Sequence, residues 1–122
     1  MEVVMQKKNI VLEKSFAFSL QVIGLYKVMQ GNKEYVISKQ LLKCGTSIGA
    51  NIHEAGAAQT KKDFITKMAI ASKEARETQY WLRLLQQSNL VQLDIQSLLD
   101  SSDDLINLLT AIVKTAQNNS GR

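Results

Sequence analysis

The residue types best suited to catalysis or to metal binding are scarce in this chain. One histidine, His53, and one cysteine, Cys44, occur in 122 residues. On one helix they would stand about two and a half turns apart, too far for the imidazole to activate the thiol directly. Zinc-type sites need three or four nitrogen or sulfur ligands. We therefore predict no such metal site, and a buried packing role for Cys44.

The carboxylates do not complete a catalytic or metal-binding pattern either. Glu74 and Glu77 share one helical face by their spacing, but the Glu-x-x-His motif of two-metal bundles is absent. The glycines of GTSIGANIHEAG lie within helical periodicity and lack the lysine of a phosphate-binding loop. We predict that the protein is not an enzyme and has no catalytic residue, metal or cofactor.

A basic arc on the third predicted helix is the strongest candidate for binding chemistry. Cations interleaved with an aromatic ring suit a phosphate backbone and a stacked base. The alternative is a solvated helix face. The arc, which we call the basic face, consists of Lys62, Lys73, Arg76, Tyr80 and Arg83.

A polar stripe flanks the apolar seam of the second predicted helix. Ser47, Asn51 and Glu54 follow one another at four and three residues. We expect an interhelical hydrogen-bond network, with Arg76 or Tyr80 as partner, more than a ligand site.

These residues are carried by four segments with the 3.6-residue period of amphipathic helices. The predicted helices are 10–30, 38–58, 61–87 and 94–117, followed by a disordered tail, 118–122. Proline is absent, so long helices can run unbroken. Glycines in the second helix indicate close approach by a neighbouring helix. The chain has the size of one domain, and we predict an all-α, antiparallel up-down four-helix bundle over 1–122.

Composition limits location and partners. A single cysteine leaves no internal disulfide, and no segment has the length of a signal peptide or a membrane span. We expect a cytoplasmic protein with no membrane contact. The formal net charge is +4, and basic residues outnumber acidic ones in 61–90 but not in 91–122.

Three helices carry more apolar positions than one core seam requires. We interpret the surplus as a self-association surface; broad core stripes are the alternative. The predicted interface consists of Leu12, Phe16, Leu20, Ile23, Ile70, Trp81 and Leu84, and the fourth helix adds Leu99, Ile106 and Val113.

Two segments, LLKCGTSIGANIHEA and KKDFITKMAIASKEARETQYWLRLL, resemble the four-helix family of 23S-rRNA intervening-sequence proteins. The polar stripe, together with Glu77, belongs to this motif. Where many members have glycine directly after the acidic residue, this chain has Ala55, with Gly56 next. By analogy with accessory proteins of diversity-generating retroelements, the resemblance implies a ring-like homopentamer that acts with RNA or a reverse-transcriptase-like protein.

Two functions follow as hypotheses. The first is a non-catalytic oligomeric scaffold whose basic face binds RNA or a nucleic-acid enzyme. The second is a purely protein-binding module, in which the basic face serves solubility.

Overall fold

The computed structural model describes residues 2–120, which form four helices and, within that range, no strand. They are α1 (Glu2–Gly31), α2 (Ile37–Ala55), α3 (Lys61–Ser88) and α4 (Gln96–Ser120). Each helix packs against two others, in the cyclic order α1–α2–α3–α4–α1. The predicted all-α four-helix bundle is confirmed.

The residues in contact between α1 and α2, and between α3 and α4, show how consecutive helices are paired. In the α1–α2 pair, Val22 lies against Gly45, and Ser15 lies against Gly49. In the α3–α4 pair, Gln79 binds Ser102 and Gln86 binds Gln96. In these two pairs, the contacting residues run in opposite directions along the sequence.

The core follows the predicted periodicity closely. In α1 the buried positions are Val11, Ser15, Phe18, Val22, Leu25 and Met29. The four buried hydroxyl residues each donate to a backbone carbonyl three or four residues earlier in the chain, as Thr78 does to Glu74 at 2.7 Å. Among the described side chains, no buried polar atom lacks a partner, so the core needs no ligand to complete it.

In α4, two residues assigned to the surplus apolar surface belong to the core instead. Leu99 and Ile106 are buried, and Val113 packs partly buried against the core. The apolar stripe of α4 is therefore a broad core stripe.

The helix ends differ from the sequence prediction in defined ways. α1 begins at Glu2 instead of residue 10, and Lys8 Nζ of the added turns lies 5.3 Å from the ring centre of Phe64. α2 stops at Ala55, before the predicted residue 58, because the chain tightens there into i→i+3 hydrogen bonds. α4 starts after Asp94, whose carboxylate accepts from the backbone N–H of Gln96.

Residues 118–120 of the predicted tail continue α4. No proline or glycine interrupts α4 before Gly121, and Ala116 is buried in the core one turn earlier. Residues 121 and 122 of the predicted tail lie outside the described residues.

The turn between α1 and α2 is built by two residues that the sequence did not single out. Lys33 takes the left-handed conformation (φ 63°), although Gly31 and Asn32, whose residue types adopt it more readily, stand just before it. The carboxylate of Glu34 then accepts hydrogen bonds from the backbone N–H groups of Val36, Ile37 and Ser38 at 2.8–3.0 Å. Glu34 thus caps α2 from outside the helix.

Candidate binding surfaces

Two surfaces on the outside of the bundle combine residues with binding potential. The first lies between α1 and α2, and we call it the outer groove. It encloses about 870 Å³ and is lined mainly by Leu12, Phe16, Leu20 and Ile23 of α1 and by Thr46, Gly49, Ala50 and His53 of α2.

Close packing of α1 on α2 creates this groove. A Cβ atom on Gly45 would stand 2.9 Å from both methyl carbons of Val22, and one on Gly49 would stand 3.4 Å from the backbone oxygen of Ser15. Only glycine permits that approach at Gly45. The predicted close neighbour of the α2 glycines is thus α1, and its outer stripe comes to lie beside α2.

The groove is apolar because its hydroxyl groups are satisfied within their own helices. Ser15, Ser19 and Thr46 donate to backbone carbonyls three or four residues earlier, at 2.6–3.0 Å. The large side chains are nevertheless open to solvent: Phe16 is 68% exposed and Leu20 is 57% exposed. An apolar occupant fits such a surface better than a polar one.

The second predicted patch of the interface, on α3, is only partly open. Ile70 is half-buried, and Trp81 packs partly buried against the core, whereas Leu84 is exposed. Lys67 binds Glu54 of α2 at 2.8 Å. Trp81 follows Lys67 by two heptads, and Ile70 and Leu84 each follow a position of that row by three residues. They therefore lie on the side of α3 that turns toward α2.

The basic face forms the second surface, along the outside of α3. Its five members, Lys62, Lys73, Arg76, Tyr80 and Arg83, are all exposed. Arg76 donates to the Thr110 hydroxyl of α4 at 3.2 Å. Among the described residues, Lys14 pairs with Asp104 and Lys67 pairs with Glu54. Neither ion pair includes one of the four cations of the basic face, so these cations are available to an anion.

Acidic groups near the basic face are already engaged. Asp103 of α4 accepts from Gln79 at 2.6 Å, and Asp100 accepts from Gln96 at 3.0 Å. On α3 itself, Glu77 accepts from the indole N–H of Trp81 at 3.3 Å. Because these donors are neutral, the hydrogen bonds do not offset the carboxylate charges, which lie beside the cations of the basic face.

The polar stripe makes mostly local bonds. Ser47 donates to the carbonyl of Lys43, and Asn51 donates to the carbonyl of Ser47. Only Glu54 reaches another helix, and its partner is Lys67, which lowers the pKa of that carboxylate through a hydrogen bond and its charge. The expected pairing with Arg76 or Tyr80 is not formed, because both lie on the outer side of α3.

Cys44 and His53 lie on different sides of α2. The thiol is buried beside Thr78, and desolvation raises its pKa, with the charges of Glu77 and Glu74 adding to the effect. A protonated thiol is a poor nucleophile. His53 is exposed at the outer groove. The described residues include no cluster of three or more His, Cys, Asp or Glu residues that could hold a metal ion.

Sequence reasoning missed the α2 side of the outer groove. Thr46, Ala50 and His53 share one helical face at four- and three-residue steps, but they are small or isolated and give no hydrophobic signal. Their position beside Gly45 and Gly49 was the available clue, because glycines at four-residue spacing mark where a neighbouring helix approaches.

None of the described helices is long and apolar enough to span a bilayer.

Comparison with known proteins identifies a family and similar solved structures. The family model described as 23S rRNA-intervening sequence protein matches residues 7–111. A crystal structure of a protein with unknown function, from the S23 ribosomal protein family of Bacteroides thetaiotaomicron, is similar with a TM-score of 0.83 and 45% sequence identity. The alignment covers 88% of this chain and 98% of that one. No curated protein matches, and neither match is described as an enzyme.

Proposed function

This chain belongs to the family of 23S rRNA-intervening sequence proteins, and from that premise we propose that it is a non-catalytic, homo-oligomeric binding protein. The observation that carries the proposal is the outer groove. Four large apolar side chains of α1 stand open to solvent on a helix whose opposite face is already fully used by the core. Contiguous apolar surface of this kind is uncommon on proteins that remain monomeric.

A second copy of the chain is the occupant that we favour for the outer groove. The outer groove lies on the α1 side of α2, and the patch of Ile70, Trp81 and Leu84 lies on its α3 side. Two different patches on adjacent faces suit a head-to-tail contact, and such contacts close into rings when the rotation permits. This arrangement agrees with the pentamer that the family resemblance implies.

RNA is the partner that we propose for the basic face. Assembly into a ring would repeat Lys62, Lys73, Arg76 and Arg83 around one structure, and repeated phosphate contacts raise affinity without any new chemistry. The sequence pI of about 9.3 supports an anionic partner. A reverse-transcriptase-like protein bound to such RNA is the protein partner that the resemblance implies.

Light scattering over a range of protein concentrations tests the assembly. We expect a mass that is a multiple of 13.6 kDa at micromolar concentration. The double variant Phe16→Glu/Leu20→Glu should be monomeric, because charges in an apolar contact are costly to desolvate. Gln21→Glu, an exposed change on another side of α1, is the matched control and should assemble normally. A wild-type protein that stays monomeric would remove the assembly proposal.

Titration with a structured RNA at two salt concentrations tests the basic face. We expect binding that weakens as salt rises, because phosphate contacts release counterions. Lys73→Glu should weaken it by about tenfold or more, whereas Lys39→Glu, the same charge change on exposed α2 surface, should have a much smaller effect. If wild-type protein binds no RNA even at low salt, the purely protein-binding module becomes the better description.

A further inference from the structure

Tyr80 is the aromatic member of the basic face, whose other members are all cations. We propose that its ring is a stacking platform for an unpaired nucleobase, so that the basic face prefers single-stranded RNA to duplex. This inference rests on the proposed RNA-binding function and names the class of nucleic acid that the site takes.

The Tyr80 ring is exposed and contacts a second aromatic ring along one edge. It is 57% exposed, and its edge-to-face contact with Trp81 has a centroid distance of 5.3 Å and an interplanar angle of 73°. Trp81 is itself fixed, because its indole N–H donates to Glu77 and its ring packs against the core. A ring oriented before binding loses little conformational entropy when a base stacks on it.

The surface beside Tyr80 has room for a base. Tyr80, Arg83, Leu84, Gln87 and Ser88 line a cleft of about 430 Å³ near the end of α3. Leu84 gives the cleft an apolar wall, and the exposed amide of Gln87 can donate to or accept from a base edge. Aromatic, apolar and amide groups around one cleft are the combination that binds splayed bases.

The cations are placed to hold the strand on both sides of that base. Arg76 and Arg83 stand seven residues apart, about 10 Å along the helix axis, and Tyr80 lies between them. Glu77 borders the stripe that contains them, three residues before Tyr80; the members of the stripe are Lys62, Thr66, Ala69, Lys73, Arg76, Tyr80, Arg83 and Gln87. A single strand lying along α3 would place phosphates at the two guanidinium groups and a base over the ring.

A duplex cannot use the ring in this way, because its bases are paired and stacked on one another. Stacking on Tyr80 needs a base that is free to leave its neighbours. The basic face would still attract duplex phosphates through charge alone. Single-stranded and duplex RNA of one sequence should therefore differ in their dependence on Tyr80, while the affinity for both falls as salt rises.

The test compares an unstructured RNA of about 12 nucleotides, a length in the usual range for single-strand sites, with its blunt duplex. Wild-type protein should bind the single strand more tightly. Tyr80→Ala should weaken single-strand binding by about 5- to 100-fold, the range for loss of one stacked base, and should change duplex binding less than about twofold. Tyr80→Phe should retain both affinities. Tyr35→Ala removes another exposed tyrosine, outside the basic face, and should change neither.

A second readout separates stacking from loss of charge or fold. A 2-aminopurine placed in the single strand should change fluorescence on binding to wild type and to Tyr80→Phe, but not to Tyr80→Ala. If wild type binds both RNAs and Tyr80→Ala leaves their ratio unchanged, the stacking proposal is overturned while the RNA-binding function stands. If wild type binds neither RNA at low salt, both fall.

Discussion

The outer faces of α1 and α3 differ sharply although their inner faces are alike. Both helices bury a regular seam, with Phe18 in α1 and Leu82 in α3 almost fully enclosed. On the outside, α1 exposes Phe16 and Leu20, whereas α3 exposes cations and Tyr80. The inner periodicity is what the fold requires, and it places no demand on the outer residues. The residues on the outer faces are therefore the ones through which this four-helix bundle can differ in function from other four-helix bundles.

The two phenylalanines of α1 give the largest expected contrast between inner and outer faces. Phe18→Ala should lower the free energy of unfolding by about 3–5 kcal/mol, because it leaves a cavity in the core. Phe16→Ala should change it by less than about 0.5 kcal/mol at concentrations where the protein is dissociated, since the side chain is mostly in water. Chemical denaturation at low protein concentration measures both.

The same pair also sharpens the assignment of the outer groove. If Phe16 lies in an interface between copies, the cost of Phe16→Ala should grow as protein concentration rises, because association stabilises the folded chain. The cost of Phe18→Ala should not depend on concentration in this way. Equal concentration dependence for the two variants would contradict the division of α1 into a core face and an assembly face.

The glycines provide a second contrast, smaller in size. Gly45→Ala should destabilise the protein by about 1–3 kcal/mol, because the new methyl group would collide with Val22 and push α1 from α2. Gly24→Ala, on the exposed side of α1 with no atom within 4 Å of the added Cβ, should stabilise it by about 0.5–1 kcal/mol. Thermal unfolding measures the two changes, and a stable Gly45→Ala protein would argue against close α1–α2 packing as the origin of the groove.

The two helix caps give the smallest contrast, and they differ in their pH dependence. Desolvation opposes ionisation of Glu34, but the backbone N–H groups of Ile37, Ser38 and Val36 outweigh it and lower the pKa of the carboxyl below its ordinary 4.5. The ionised carboxylate of Glu34 therefore contributes fully to the free energy of unfolding above pH 4.5, and this contribution is lost as pH falls through the lowered pKa. Thr60, which caps α3 by accepting from Asp63 N–H, has no charge to lose.

Glu34→Gln and Thr60→Ala should each cost about 1 kcal/mol at neutral pH. Below pH 4.5 the cost of Glu34→Gln should shrink, whereas that of Thr60→Ala should stay constant. Urea unfolding at pH 7 and near pH 3 measures this. A cost for Glu34→Gln that is the same at both pH values would show that its carboxylate is not the cap of α2.

The fold could be predicted from the sequence because its information is local. The α1 seam from Val11 to Met29, the Thr60 cap and the end of α3 at Asn89, whose φ is 55°, all follow from spacing and residue type. Lys33 could not be predicted in the left-handed conformation, since glycine and asparagine stand just before it. That choice depends on Glu34, which must reach three N–H groups of α2 at once.

The candidate surfaces were predicted only in part, because exposure depends on which helices are neighbours. Leu12, Phe16, Leu20 and Ile23 are exposed as expected, whereas Leu99 and Ile106 have similar spacing and are buried. Periodicity gives the angle between two faces of one helix but not where the two neighbouring helices lie around it. For the same reason, the partner of Arg76 could be identified only once α4 was placed beside α3.

The cyclic order of helix contacts has a consequence for how the chain reaches this state. Three of the four contacting pairs join helices that are consecutive in sequence, and only α1 with α4 joins distant parts. Such a low contact order favours rapid folding. During synthesis the α1–α2 hairpin emerges first, with its core seam and its outer groove both uncovered. That half-built hairpin is the species most exposed to aggregation, and docking of α4 onto α1 ends its exposure on the inner side.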